Sequence, residues 1–119
     1  MALKKTNPDF LNGVPELLAL QLLDRRPMHG YEVVQAIRLA TDARLDFAEV
    51  CLYPVLHRLE AQGMSAAKRE VVGGRSRVVY RLTPRGRRRL DESRTNRHSI
   101  AEAVRVVLQG SEHARPAPA

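Results

Sequence analysis

Between residues 64 and 82 the chain changes character. Met64–Val72 and Val78–Leu82 are its only convincing strands, the second rich in β-branched and aromatic residues, and Gly73-Gly74-Arg75-Ser76-Arg77 lies between them. Two glycines and a charged tip between two such runs predict a β-hairpin. The segments on either side have helical spacing. At 119 residues the chain has the length of one ordinary domain, and an apolar share of 44% with only 4% aromatics calls for an aliphatic core.

Ahead of the hairpin three helices are expected. Asn12-Gly13 is a break and Pro15 suits a first helical turn, where its missing N–H costs nothing. Leu17, Leu18, Leu20, Leu22 and Leu23 then form a wide apolar face before Asp24-Arg25-Arg26-Pro27 ends the segment. Met28-His29-Gly30 is read as a turn, and Tyr31–Ala40 as a second helix with Val33, Val34 and Ile37 inward. Asp46 and Glu49 have the spacing of a capping box for a third helix ending near Gln62. Leu52, Val55, Leu56 and Leu59 fall on one face of that helix, leaving Tyr53, Pro54, His57, Arg58 and Ala61 on the rest. Pro54 implies a tight or distorted first turn. After the hairpin, Thr83-Pro84 is a cap followed by a first-turn proline, opening a fourth helix that reaches about Leu108.

Charge is concentrated. The net charge is +7, yet Arg58 to Arg97 alone holds twelve basic and four acidic residues. That balance suits an anionic partner, nucleic acid or an acidic membrane surface, and no amphipathic membrane stripe accompanies it. A phosphate-gripping hairpin would use Lys68, Arg69, Arg75 and Arg77; the bland alternative is an exposed turn that is charged for solubility. On the third helix Tyr53, His57 and Arg58 suit base or phosphate contacts, although a lone Tyr also packs well at a core edge. His29 and Glu32 lack a nucleophile or third partner, so an enzyme is the least supported class; the turn at His29-Gly30 instead offers helix N–H groups to a phosphate. Arg85-Gly86-Arg87-Arg88-Arg89 opposes the dipole of its own helix start, and so must be paired, exposed or facing an anion. Farther on, Ile100, Ala103, Val104, Val107 and Leu108 form an apolar stripe that a two-fold partner would bury, the alternative being the first helix of the same chain. Cys51 is the single cysteine, so neither an internal disulfide nor a four-ligand zinc set is expected, and a soluble, cytoplasmic protein without cofactor fits best.

Helix, helix, helix, hairpin, helix is the order of a winged helix-turn-helix domain with one extra helix. Several motifs agree with it: Pro27-Met28-His29-Gly30-Tyr31-Glu32, then Leu52-Tyr53-Pro54 with His57-Arg58-Leu59-Glu60 and Gly63, then Gly74-Arg75 with Tyr80-Arg81-Leu82-Thr83-Pro84-Arg85-Gly86. Together, over about Leu17 to Leu90, they resemble the PadR family of bacterial transcriptional regulators, in its smaller subgroup with a single dimerisation helix. The resemblance implies a homodimer, usually a repressor, on an inverted-repeat operator in double-stranded DNA. By position, Tyr53 and Pro54 would face DNA from the recognition helix and Arg75 and Arg77 from the wing, with Tyr31 at the start of the second helix beside them. Two departures stand out. Ala48, Val50 and Cys51 replace the Ser, Gly and Thr of many members, and no aromatic follows Tyr80, which disfavours an aromatic effector. The expected organisation is a DNA-binding domain over 9–83, a dimerisation helix over 84–109 and a tail over 110–119. Two further readings are a basic architectural or RNA-binding protein and a sensor of a small molecule or metal ion at the dimer seam, through His98 or His113.

Overall fold

The computed structural model describes residues 13–110. The expected domain start at 9–12, the tail from 111 onward and His113 lie outside the described residues. The elements run α1 (Val14–Arg25), β1 (Met28–His29), α2 (Gly30–Ala40), α3 (Glu49–Ala61), β2 (Ser65–Val72), β3 (Arg75–Leu82) and α4 (Pro84–Leu108). The architecture is mixed α+β and mostly helical. The three strands form one antiparallel sheet in the order β1-β3-β2.

The hairpin turn is tighter than the sequence implies. Val72 pairs with Arg75, so only Gly73 and Gly74 form the loop, both at positive φ (57° and 78°). That geometry matches the twist of the flanking strands and is open to glycine without steric cost. Arg75, Ser76 and Arg77 therefore belong to a strand, not to the turn. The turn expected at Met28-His29 is also a short strand, because its two residues pair with Tyr80 and Val79 along the free edge of β3.

Aliphatic side chains fill the centre, as the scarcity of aromatics requires. Leu20, Val33, Ile37, Leu52, Leu56 and Leu59 are fully buried, with Phe47 from the α2–α3 connector packed among them. The four apolar positions expected on α3 all face this core. The cap of α3 differs from expectation: Ala48, not Asp46, is the N-cap residue, and no side chain caps it. Pro54 lies within the helix, and the turn ahead of it is tight, with the Ala48 carbonyl accepting from both Cys51 N–H (2.9 Å) and Leu52 N–H (3.1 Å).

Helix α4 is docked at its start and bare at its end. Thr83 Oγ1 accepts from Gly86 N–H (3.0 Å) and donates to the Gly63 carbonyl (2.7 Å), tying the new helix to the end of α3. Gly86 has no room for a side chain, since a Cβ there would overlap the Met64 carbonyl oxygen and crowd Leu82. Leu90 is buried in the core. Two of the four arginines in the run are paired, Arg87 with Asp24 and Arg89 with Glu16 (3.3 Å), both partners on α1. The helix is continuous through Asp91–Ser99. Beyond Arg97, which lies beside Gly13, Ile100 (46% exposed), Val104 (48%), Val107 (77%) and Leu108 (80%) are uncovered among the described residues.

Candidate nucleic-acid interface

The start of α2, one face of α3 and the base of the hairpin enclose an open groove of about 430 Å³. It brings together Tyr31, Tyr53, His57 and Arg77 from the sequence-derived set, and adds His29, Gly30, Val78 and Tyr80. Three of the five aromatics of the chain thus line one surface feature.

Gly30 lets the groove close. A Cβ there would come 2.5 Å from Tyr53 Cε1, so the tyrosine ring can lie on the start of α2 only because that residue is glycine. Tyr53 is half-buried against the core, and Pro54 beside it is exposed. Burial pushes the Tyr53 phenol above its ordinary value, and the Glu49 carboxylate, which it hydrogen-bonds, pushes the same way. Burial also raises Tyr80, with Glu60 and Tyr53 adding to the shift. Both phenols therefore keep their protons at neutral pH and remain donors. The Tyr31 hydroxyl accepts from Gln35 Nε2 (3.0 Å).

His29 is the N-cap of α2, a role its sequence position does not announce. Its Nδ1 faces Glu32 N–H (3.3 Å), while Glu32 Oε1 accepts from His29 N–H (3.1 Å); this is the geometry of a reciprocal capping box with histidine in the usual place of serine or threonine, complete only when Nδ1 carries no proton. Burial alone would raise the Glu32 carboxyl, but the His29 N–H and the Arg26 guanidinium (2.9 Å) outweigh it and hold the group below its ordinary value. The sign that was available is the spacing of His29 and Glu32, three residues apart at a helix start.

The remaining predicted residues are distributed around this groove, not within it. Strand register places Lys68, Arg75 and Arg77 on one face of the hairpin and Arg69 on the other, where its guanidinium donates to Ser76 Oγ (3.1 Å). Lys68 and Arg75 have no ion pair among the described residues. Arg81, farther along the strand, is paired with Glu70. Arg58 is turned from the groove towards Glu16 of α1 (3.9 Å), which also binds Arg89. Lys68 and Arg75 thus keep their charge open on the wing, while Arg58, Arg87 and Arg89, which reach α1 from α3 and α4, face carboxylates there. The stripe of Ile100, Ala103, Val104, Val107 and Leu108 belongs to the far end of α4. No group of three or more possible metal ligands occurs among the described residues, and no helix there is long and apolar enough to cross a membrane.

The chain is similar in sequence and fold to known proteins. The family model described as "Transcriptional regulator PadR-like family" matches residues 19–92. The transcriptional regulator Rv3488 of Mycobacterium tuberculosis is 50% identical over 62 residues, which are 52% of this chain and 55% of that protein. The transcriptional regulator YqjI of Escherichia coli is 30% identical over 102 residues, 86% of this chain and 48% of that protein. The chain spans about half the length of these curated relatives. Among solved structures, a PadR family transcriptional regulator from Eggerthella lenta superposes with a TM-score of 0.74 at 30% identity, covering 87% of this chain and 88% of the other. A transcriptional regulator from Clostridium thermocellum does so with 0.76 at 26%, covering 82% and 95%.

Proposed function

The chain belongs to the PadR-like family of transcriptional regulators, and from that premise we propose that it binds double-stranded DNA as a homodimer and represses transcription from an inverted-repeat operator. The observation that carries this reading is the groove at the start of α2, lined in part by Arg77 and flanked by a wing on which Lys68 and Arg75 have no ion pair among the described residues. Helix α3 presents Tyr53 and His57 towards the duplex, with Pro54 exposed beside them. Wing residues Lys68, Arg75 and Arg77 grip phosphates, which fix register but carry no base information. Arg69 adds a contact from the hairpin face it shares with Val78 and Tyr80, and Arg58 near Glu16 is a peripheral contact that reaches DNA only by leaving its carboxylate.

The working organisation is a DNA-binding domain over 9–83 and a dimerisation helix over 84–109. Ile100, Ala103, Val104, Val107 and Leu108 form the seam between two copies, since an exposed stripe of this kind on a soluble regulator needs cover and a two-fold contact gives it at both subunits. The same seam sets the spacing of the two recognition helices, so that an effector bound there, a small molecule or metal ion, would alter operator affinity.

The test is a titration of labelled duplex from the region upstream of the gene against random duplex of equal length, at several salt concentrations. Tighter binding to the upstream duplex and a steep salt dependence are expected, with Arg75→Ala weakening binding to both and flattening the log–log salt slope by about 1 per lost phosphate contact. Equal binding to both duplexes would leave the non-specific architectural reading.

A further inference from the structure

His29 is claimed from two sides. Glu32 N–H points at its Nδ1 (3.3 Å) and Arg77 Nη1, which can only donate, lies 2.9 Å from its Nε2. A neutral imidazole accepts at one nitrogen and donates at the other, so it cannot serve both donors. With the proton on Nε2 it caps α2 and faces the Glu32 carboxylate (3.3 Å), but that proton then confronts the guanidinium. With the proton on Nδ1 it accepts from Arg77, but that proton then confronts Glu32 N–H at the longer distance of 3.3 Å, and the α2 cap is left to the Glu32 carboxylate on His29 N–H.

The shorter contact is the charge-assisted one, and such bonds are about twice as strong as neutral ones. The ring is partly buried, with 19% of its side chain exposed, which strengthens the bond further. We infer that His29 carries its proton on Nδ1 and is a positioning residue: its Nε2 accepts from Arg77 and aims the remaining guanidinium N–H groups of the wing at a DNA phosphate beside the start of α2. The inference rests on the DNA-binding reading. It makes the position of the wing relative to α2 depend on a side chain that touches no nucleotide.

The test pairs a spectroscopic measurement on the protein alone with affinities. In 15N-edited imidazole spectra at a pH where His29 is neutral, Nδ1 is expected to be the protonated nitrogen. In Arg77→Ala the proton should move to Nε2, because capping then has no competitor. His29→Asn retains a good helix cap but cannot reach Arg77, so it should keep the thermal midpoint while weakening upstream-duplex binding roughly fivefold to tenfold, and should add nothing in the Arg77→Ala background. An Nε2-protonated ring in the unaltered protein, or additive effects of the two substitutions, overturns the inference. Absence of duplex binding by the unaltered protein defeats the DNA reading and the orienting role with it, while the tautomer result stands.

Discussion

The two ends of α4 are one continuous helix with opposite surroundings. Its first turns have the Thr83 cap, the glycine fitted against Met64, the buried Leu90 and two arginines paired to α1. Its last turns have a bare row of Ile100, Val104, Val107 and Leu108, braced only by exposed local contacts such as Glu102–Arg105. A cap, a glycine, two ion pairs and the single buried leucine do the docking, and the remaining large apolar residues of the helix lie outside the core. On the proposed homodimer the contrast separates what folds a subunit from what would join two: close fit and pairing complete the winged domain, while the unspent apolar surface lies at the end that leaves it.

Gly86→Ala should have the largest effect. Its Cβ meets backbone as well as Leu82, so the start of α4 must shift, and a loss of about 3 kcal/mol in thermal or denaturant unfolding is expected. Val104→Glu attacks the other end. It should weaken self-association about a hundredfold, some 2.7 kcal/mol in sedimentation equilibrium, because it would bury an unpaired charge at the proposed seam, while the far-ultraviolet spectrum of the subunit is unchanged. If it unfolded the chain instead, the distal turns would belong to the subunit core. Glu16→Gln removes the carboxylate shared by Arg58 and Arg89, and about 1 kcal/mol of unfolding free energy should go with it, the arginines being half exposed. Glu102→Gln should leave the thermal midpoint where it is, since the pair with Arg105 is open to solvent; a clear drop would mean that the distal turns are braced more strongly than they look.

Much of the architecture was legible because it is local. The hairpin follows from two strand-like runs and two glycines, and α4 from Thr83-Pro84 and a helical run to Leu108. The inward face of α3 follows from spacing alone. What escaped is non-local. Strand β1 is two residues long and exists because β3 has a free edge, a fact absent from Met28 and His29 themselves. Gly86 looks like a helix defect until Met64 is brought against it, and Asp46 has cap chemistry but lies two residues too early for the helix that forms. The candidate site divides in the same way: residue types named Tyr31, Tyr53, His57 and Arg77, whereas their meeting in one groove, the ring of Tyr53 on Gly30 and the bond from Arg77 to His29 depend on the completed fold.

On the proposed reading two copies, joined through the distal half of α4, place two recognition helices on one operator. Footprinting of the upstream duplex with purified protein tests it most directly. Two protected half-sites of inverted sequence, centred about one helical turn (roughly 10 base pairs) or a multiple apart, are the expected result. A single protected segment without inverted symmetry, or uniform protection along the duplex, would contradict it.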